Sequence, residues 1–292
     1  MNILTQLFDN FSTFSLYAPG VETNMNLNDL NASSLTARKR IEAIISSSVF
    51  TAILKEDTNS PLFEALRSAM ANITMATQLV FDSINRRKND INVYKYELEA
   101  MRRAYMENYC NALDTILQLL INDQSPTIST EWHKTSYFAI LDECEIKTMA
   151  QFDMLYPIDA SYLFFFRTIP LQKEALAEHL ATYFAKLTPD NTQPRLRPIL
   201  LLSLAKKTIA KALRRFDVLE FPSTIHNLFD DNTANHSGKD EHDNSLALAN
   251  YLDHEATELI STADTLLSTD TTPDISSYSA YNSPSDNIIM LP

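Results

Sequence analysis

The sequence predicts an all-α protein, a helical bundle with one long central helix, two similar helical hairpins and an extended acidic C-terminal arm. Apolar residues recur every three or four positions through most of residues 33–216, which is the spacing of an amphipathic helix. No segment shows the alternation of apolar and polar residues that is typical of a half-buried strand. Only two of the 292 residues are glycine. Together these observations favour long helices joined by short loops.

The scarcity of glycine also limits the chemistry. Phosphate-binding loops, dinucleotide-binding turns and nucleophile elbows need glycine, because their backbone turns tightly or approaches a ligand closely. Gly20 and Gly238 are too far apart in the chain to build any of these motifs. The sequence therefore excludes the common nucleotide-binding and α/β-hydrolase sites.

Three helices are predicted in the first half of the body. Ser33 and Ser34 are candidate caps for a helix over 33–47, and Pro61 suits the first turn of a helix over 61–87. The strongest pattern predicts the long central helix over 91–121. Its stripe consists of Tyr94, Leu98, Met101, Tyr105, Tyr109, Ala112, Ile116 and Leu120.

The second half of the body is less regular. Short helices are predicted near 135–152 and 159–167, with a break at Pro157, followed by a pair of helices over 169–187 and 194–216. At an offset of 134 residues this pair is similar to the first pair. The matching residues are Leu62, Leu66 and Met70 with Leu196, Leu200 and Leu204. Either the chain contains two related hairpins, or two amphipathic helices share a common pattern.

Charge divides the chain into a neutral body and an acidic arm. Residues 1–216 carry 23 basic and 23 acidic residues, whereas residues 217–292 carry 14 acidic residues and one lysine. We expect an N-terminal arm over 1–32, a helical domain over 33–216, and an acidic arm over 217–292 with one helix at about 245–268 and a flexible tail. Such an arm either docks on a basic surface or stays solvated, and it argues against general nucleic-acid binding.

Interaction surfaces are the candidate functional sites. A basic helical face could dock an acidic partner, including the acidic arm of a neighbouring copy, or could be ordinary solvated surface. A run of large aromatic residues, with the single tryptophan upstream, is either core or interface. The sequence ends in a small apolar hook. The candidate interface residues are Lys207, Lys211, Arg214, Arg215, Trp132, Tyr162, Phe164, Phe165, Phe166, Ile288, Ile289, Met290 and Leu291.

No local motif indicates catalysis. Cys110 and Cys144 form no disulfide framework and are expected to be reduced thiols. His254 begins a pattern that resembles a helical zinc motif, but the second histidine is absent. We therefore expect no catalytic residue, no metal site and no cofactor. Without a basic N-terminal segment or a long apolar run, we also expect a soluble intracellular protein without membrane contact.

The region from about 130 to 190 resembles an uncharacterised all-helical family of Bacteroidetes phages and prophages. The members of this family are encoded among virion morphogenesis genes, in the place of a head–tail connector or head-completion protein. The resemblance rests on aromatic and small residues and their spacing. These residues are Trp132, Ser136, Met149, Ala150, Gln151, Phe152, Tyr156, Pro157, Ile158, Ser161 and Phe165.

The resemblance implies a structural role in the virion, with no catalytic residues. Such connectors are helical proteins that form rings, commonly dodecamers, between the portal protein and a tail or second connector protein, with DNA only as passing cargo. An acidic arm that lined this channel would repel DNA and let it slide. The alternatives are a non-viral intracellular adaptor that binds a basic partner through its acidic arm, and an enzyme with a dispersed site.

Overall fold

The structure is a computed structural model. It describes residues 2–20, 25–88, 95–122, 125–187, 195–217, 220–226 and 238–269. Within these ranges the chain consists of helices and turns without a strand, so the predicted all-α class is confirmed.

The helices of the first half are α1 (Leu4–Leu7), α2 (Phe11–Tyr17), α3 (Asn31–Ile45), α4 (Ser47–Ile53), α5 (Pro61–Lys88), α6 (Lys95–Ile121) and α7 (Pro126–His133). Those of the second half are α8 (Ser136–Leu141), α9 (Met149–Leu155), α10 (Tyr162–Ala175), a π-helical turn (Leu176–Leu180), α11 (Ala181–Phe184), α12 (Leu196–Arg215), α13 (Ser223–His226) and α14 (Gly238–Thr269).

Two helix pairs form the bulk of the packing. Helix α5 packs along α6 and also contacts α3, and α12 packs along α14. Helix α10 connects the two groups, because it contacts both α6 and α12. Helices α5, α6 and α14 have 28, 27 and 32 residues. The predicted helices over 61–87 and 91–121 correspond to α5 and α6, so α6 is not longer than α5 in the described residues. The single long central helix and the similarity of the two hairpins stay predictions.

The N-terminal segment and α14 both pack on the body. Arg67 donates to the Leu7 carbonyl oxygen at 2.8 Å, and Asn72 donates to that of Tyr17 at 3.0 Å, so α1 and α2 are tied to α5. Helix α14 begins at Gly238 rather than near 245, and it lies along α12 instead of extending away. The sequence did not predict this helix start, because residues 238–244 are polar and lack an apolar stripe.

Helix α10 runs through a proline that sequence reasoning treated as a boundary. The predicted helices 159–167 and 169–187 are one continuous helical segment from Tyr162 to Phe184, which contains Pro170 and the π-helical turn. Pro170 is exposed, whereas Phe166 and Ile169 are buried. A proline in a helix interior removes one backbone hydrogen bond, and here the tertiary packing of its neighbours compensates for that loss.

Where short helices were predicted near 135–152, the structure has α8 and α9, which are separated by an irregular segment. The buried side chain of Gln172 explains the interruption. It accepts a hydrogen bond from the Ile146 backbone amide at 2.9 Å and donates one to the Ile146 carbonyl oxygen at 3.2 Å. Both backbone groups of Ile146 are thus satisfied by α10 rather than by a helix of their own.

Candidate interaction surfaces

The basic face of α12 is covered by α14 of the same chain. Lys207 is the centre of this interface, with only 5% of its surface exposed. Its ammonium donates to an Asp253 carboxylate oxygen at 2.8 Å and to the Thr257 hydroxyl at 3.1 Å. A buried ammonium is tolerated only when its charge is paired and its protons are hydrogen-bonded, and α14 supplies both.

Further contacts extend this interface, which we call the α12–α14 interface. Lys206 pairs with Glu255 at 2.6 Å. Arg214 donates to the Asn250 side chain at 3.1 Å. Between the charges, α14 buries an apolar stripe that consists of Ala249, Leu252, Ala256 and Ala263. The basic face of α12 therefore does dock an acidic helix, and this helix belongs to the same chain.

The remaining cations of α12 pair with α10 and the turn that follows it. Arg215 binds both carboxylate oxygens of Glu174 at 2.6 Å. Lys211 binds Glu174 at 2.8 Å and Glu178 at 2.7 Å. The pKa of Glu174 is about 2, because Arg215 first and Lys211 second stabilise its charged form. All four basic interface candidates on α12 are therefore engaged inside the chain.

The cations of α12 also lower the pKa values of carboxylates on α14. Burial alone would raise the pKa of Asp253, but the hydrogen bond from Lys207 and the charges of Lys207 and Arg214 outweigh it, so the pKa is lowered. Lys206 and Tyr251 lower the pKa of Glu255 by donating to it. Both carboxylates are therefore ionised at neutral pH, as the α12–α14 interface requires.

The aromatic candidates lie in the core of the chain. Trp132 is buried against Phe138 and Phe166, with ring centroids 4.6 and 4.8 Å apart. Phe164 packs near Phe221, and Phe165 near Phe152. Tyr162 remains half-buried. Of the two sequence interpretations, the structure places Trp132 and the three phenylalanines in the core, because helices pack on several sides of α10.

A carboxylate that sequence reasoning did not single out holds α10 in place. Asp114 on α6 accepts hydrogen bonds from the Leu163 backbone amide at 2.6 Å and the Ser161 hydroxyl at 3.1 Å. Ser161 in turn caps α10 by accepting from the Phe164 amide. Burial raises the pKa of Asp114, and these hydrogen bonds oppose the rise. The Asp114 carboxylate therefore stabilises the N-terminal end of α10.

The end of the α5–α6 pair beyond Leu79 and before Tyr105 carries exposed apolar side chains among the residues whose burial the structure describes. We call residues 80–82 and 96–104 the distal hairpin. Phe81 is 51% exposed and Tyr96 is 67% exposed. Val80 and Met101 are also exposed apolar residues there.

A cleft follows α6 at the base of the distal hairpin. One part, of about 440 Å³, lies against α3 and α10, and a second, of about 300 Å³, lies against residues 220–223. Cys110 lines both parts, and burial raises its pKa to about 12. Its thiol is protonated at neutral pH and is a poor nucleophile. Cys144 is buried, with a pKa of about 11.

The apolar hook, Ile288, Ile289, Met290 and Leu291, lies outside the described residues. No helix in the described ranges is long and apolar enough to cross a membrane. Across the same ranges, no three histidine, cysteine or acidic side chains are grouped as a metal site.

No protein-family model, curated protein or solved structure matches the chain.

The α12–α14 interface predicts a specific loss of stability. Asp253→Asn removes the charge that faces the buried Lys207, and we expect the free energy of unfolding to fall by about 1–3 kcal/mol. Glu258→Gln makes the same charge change on an exposed position of α14, where Glu258 pairs with the exposed His254, and should cost under about 0.5 kcal/mol. Urea unfolding of both variants checks this, and equal losses would contradict it.

Glu174 predicts how stability depends on pH. Its pKa in the folded chain is about 2 and its ordinary value is 4.5, so its contribution is complete above pH 4.5 and disappears as the pH falls toward 2. Glu174→Gln should therefore lower Tm at pH 7, and the difference from the unmodified chain should shrink between pH 4.5 and pH 2. A thermal melt series measures this. A difference that stays constant over that range would refute the assignment.

Proposed function

We propose that this chain is a structural protein of a phage particle, a head–tail connector that assembles as a ring on the portal protein and forms part of the DNA channel. It would be made in the host cytoplasm and act in the virion. The setting comes from the resemblance in residues 130–190. The single observation in the structure that supports it most is the distal hairpin, the end of the α5–α6 pair at which apolar side chains are exposed.

The distal hairpin has the character of a protein contact surface. Exposed apolar residues that lie together mark interaction sites, whereas isolated ones are common on any surface. Phe81 and Val80 are consecutive on α5, and Tyr96 and Met101 lie on the adjacent end of α6. A partner that covered them would bury apolar surface that is exposed in this chain.

The alternative functions have less support. In the adaptor, acidic residues of the arm would bind a basic partner, but Asp253 and Glu255 already pair with lysines of α12. In the enzyme, the cleft along α6 would be the active site. Two of its titratable groups have other roles, because Asp114 caps α10 and the thiol of Cys110 is protonated. Because these groups already have roles within the chain, a protein that acts by contacting other proteins has more support than the adaptor or the enzyme.

Assembly with and without the distal hairpin tests the proposal. Native mass spectrometry of the chain, mixed with the portal protein encoded in the same genome, should show a ring of many copies. Phe81→Gln combined with Met101→Gln should abolish the ring, because the apolar contact is lost. Met154→Gln, which changes an exposed apolar residue on α9, is the matched control and should leave assembly intact.

Circular dichroism should show unchanged helix content in every variant. A chain that stays monomeric with the portal would contradict the connector. A ring that survives the double substitution would show that the distal hairpin is not the contact.

A further inference from the structure

A short segment after α12 forms one wall of the cleft along α6. We call residues 220–226 the strap, and they include the four-residue helix α13. Glu220 lines both parts of the cleft, and Phe221, Pro222 and Ser223 line the smaller part. A helix of four residues is not stable alone. The strap is therefore held in place by its contacts with the rest of the chain.

Two apolar side chains attach the strap to the core. The Phe221 ring packs against the rings of Phe164 and Phe216, with centroids 5.6 and 6.2 Å apart. Ile225, four residues later, is fully buried. Burial of these two side chains supplies the apolar part of the contact.

Two polar contacts hold the strap at partly exposed positions. Glu220 pairs with Arg167 at 2.6 Å, and the two side chains are 29% and 27% exposed. Thr224 donates to the Asp159 carboxylate from its backbone amide at 2.8 Å and from its hydroxyl. Asp159 and Thr224 are both exposed. Water competes for such hydrogen bonds and salt screens such charges, so these contacts add little stability.

The loop that accepts the strap has a strained backbone. Asp159 and Ala160 have φ angles of 55° and 53°, a left-handed conformation that is unfavourable for residues with a Cβ atom. Asp153 holds one side of this loop by accepting from the amides of Ile158 and Ala160 at 2.8 and 3.2 Å. Thr224 of the strap holds the Asp159 carboxylate. Strain of this kind persists only where surrounding contacts maintain it, and it is common in clamps and switch regions.

The strap leaves space on both sides. The cleft beside it has a smaller part of about 300 Å³ and a larger part of about 440 Å³. Segments with few buried apolar contacts and exposed hydrogen bonds open locally, at a lower free energy than global unfolding. The strap has these properties, since two apolar side chains and exposed polar contacts hold it.

We infer that the strap is an autoinhibitory segment that opens as a unit, while α6, α10 and α12 stay folded. When the strap is closed, it separates the two parts of the cleft and shields Leu163 and Phe164 from water. Opening joins both parts into one groove along α6 and exposes these apolar side chains. The strap thus controls access to the cleft. Every contact involved lies within one chain, so the inference does not depend on a ring.

Alkylation of thiols in the folded full chain tests whether the strap opens. Cys110 lines both parts of the cleft, whereas Cys144 is buried elsewhere and contacts the carbonyl oxygens of Ile140 and Ile169. Iodoacetamide at constant pH should modify Cys110 at least about tenfold faster in Phe221→Ala than in the unmodified chain, because the main apolar contact is lost. The rate for Cys144 should not change, since only global unfolding exposes both thiols.

A milder variant keeps the test valid if Phe221→Ala does not fold. Thr224→Val removes the hydroxyl that binds Asp159 and should raise the Cys110 rate about threefold. Thr130→Val is the matched control, because it removes an exposed hydroxyl that donates to the Pro126 carbonyl oxygen on α7. It should leave the rate unchanged.

Two results would overturn the inference. In one, neither substitution in the strap changes the rate at which Cys110 is modified. In the other, the rates for Cys110 and Cys144 rise in parallel, which would show that the strap opens only when the whole chain unfolds.

Discussion

The ammonium of Lys207 requires a counter-charge, and much of the structure depends on how it is supplied. The side chain lies between α12 and α14 with almost no access to water. Asp253 and Thr257 of α14 satisfy it, and Ser203 of α12 donates to the Ala256 carbonyl oxygen at 2.9 Å beside it. Removing α14 would expose an apolar stripe and the basic face together. The position of the acidic helix is thus fixed by charge and by apolar burial at once.

The α12–α14 interface explains part of the uneven distribution of charge along the sequence. A neutral body and an acidic arm suggest two independent parts, yet the arm contains the helix that neutralises a face of the body. The cleft along α6 also combines both signs of charge, because Arg40, Arg102 and Arg167 line it together with Asp217 and Glu220. Arg167 pairs with Glu220 there at 2.6 Å.

The all-α class and the main helices could be predicted because they depend on local periodicity and on residues that end helices. Pro61 begins α5 as expected, and the apolar stripe of α6 was recognised. The start of α3 was misplaced, because Ser33 lies inside the helix and donates to Gln78 at 2.7 Å rather than capping it. Such a contact joins residues 45 positions apart, which periodicity does not detect.

The surfaces were harder to predict for the same reason. Periodicity identifies a basic face on α12 but not the helix that covers it, so the partner of Lys207 was sought in another copy. A run of aromatic residues from Phe164 to Phe166 gives no indication of how many helices surround it. The cleft combines residues of α3, α6, α8 and α10, and no segment of the sequence carries its pattern.

Amide hydrogen exchange of the full chain tests the central claim, that α14 docks on α12 and is part of the folded body. Residues 246–263 should exchange as slowly as the amides of α12, because opening either helix exposes the buried Lys207 and the apolar stripe. Exchange of residues 246–263 at the rate of an unstructured peptide, with α12 still protected, would contradict the account.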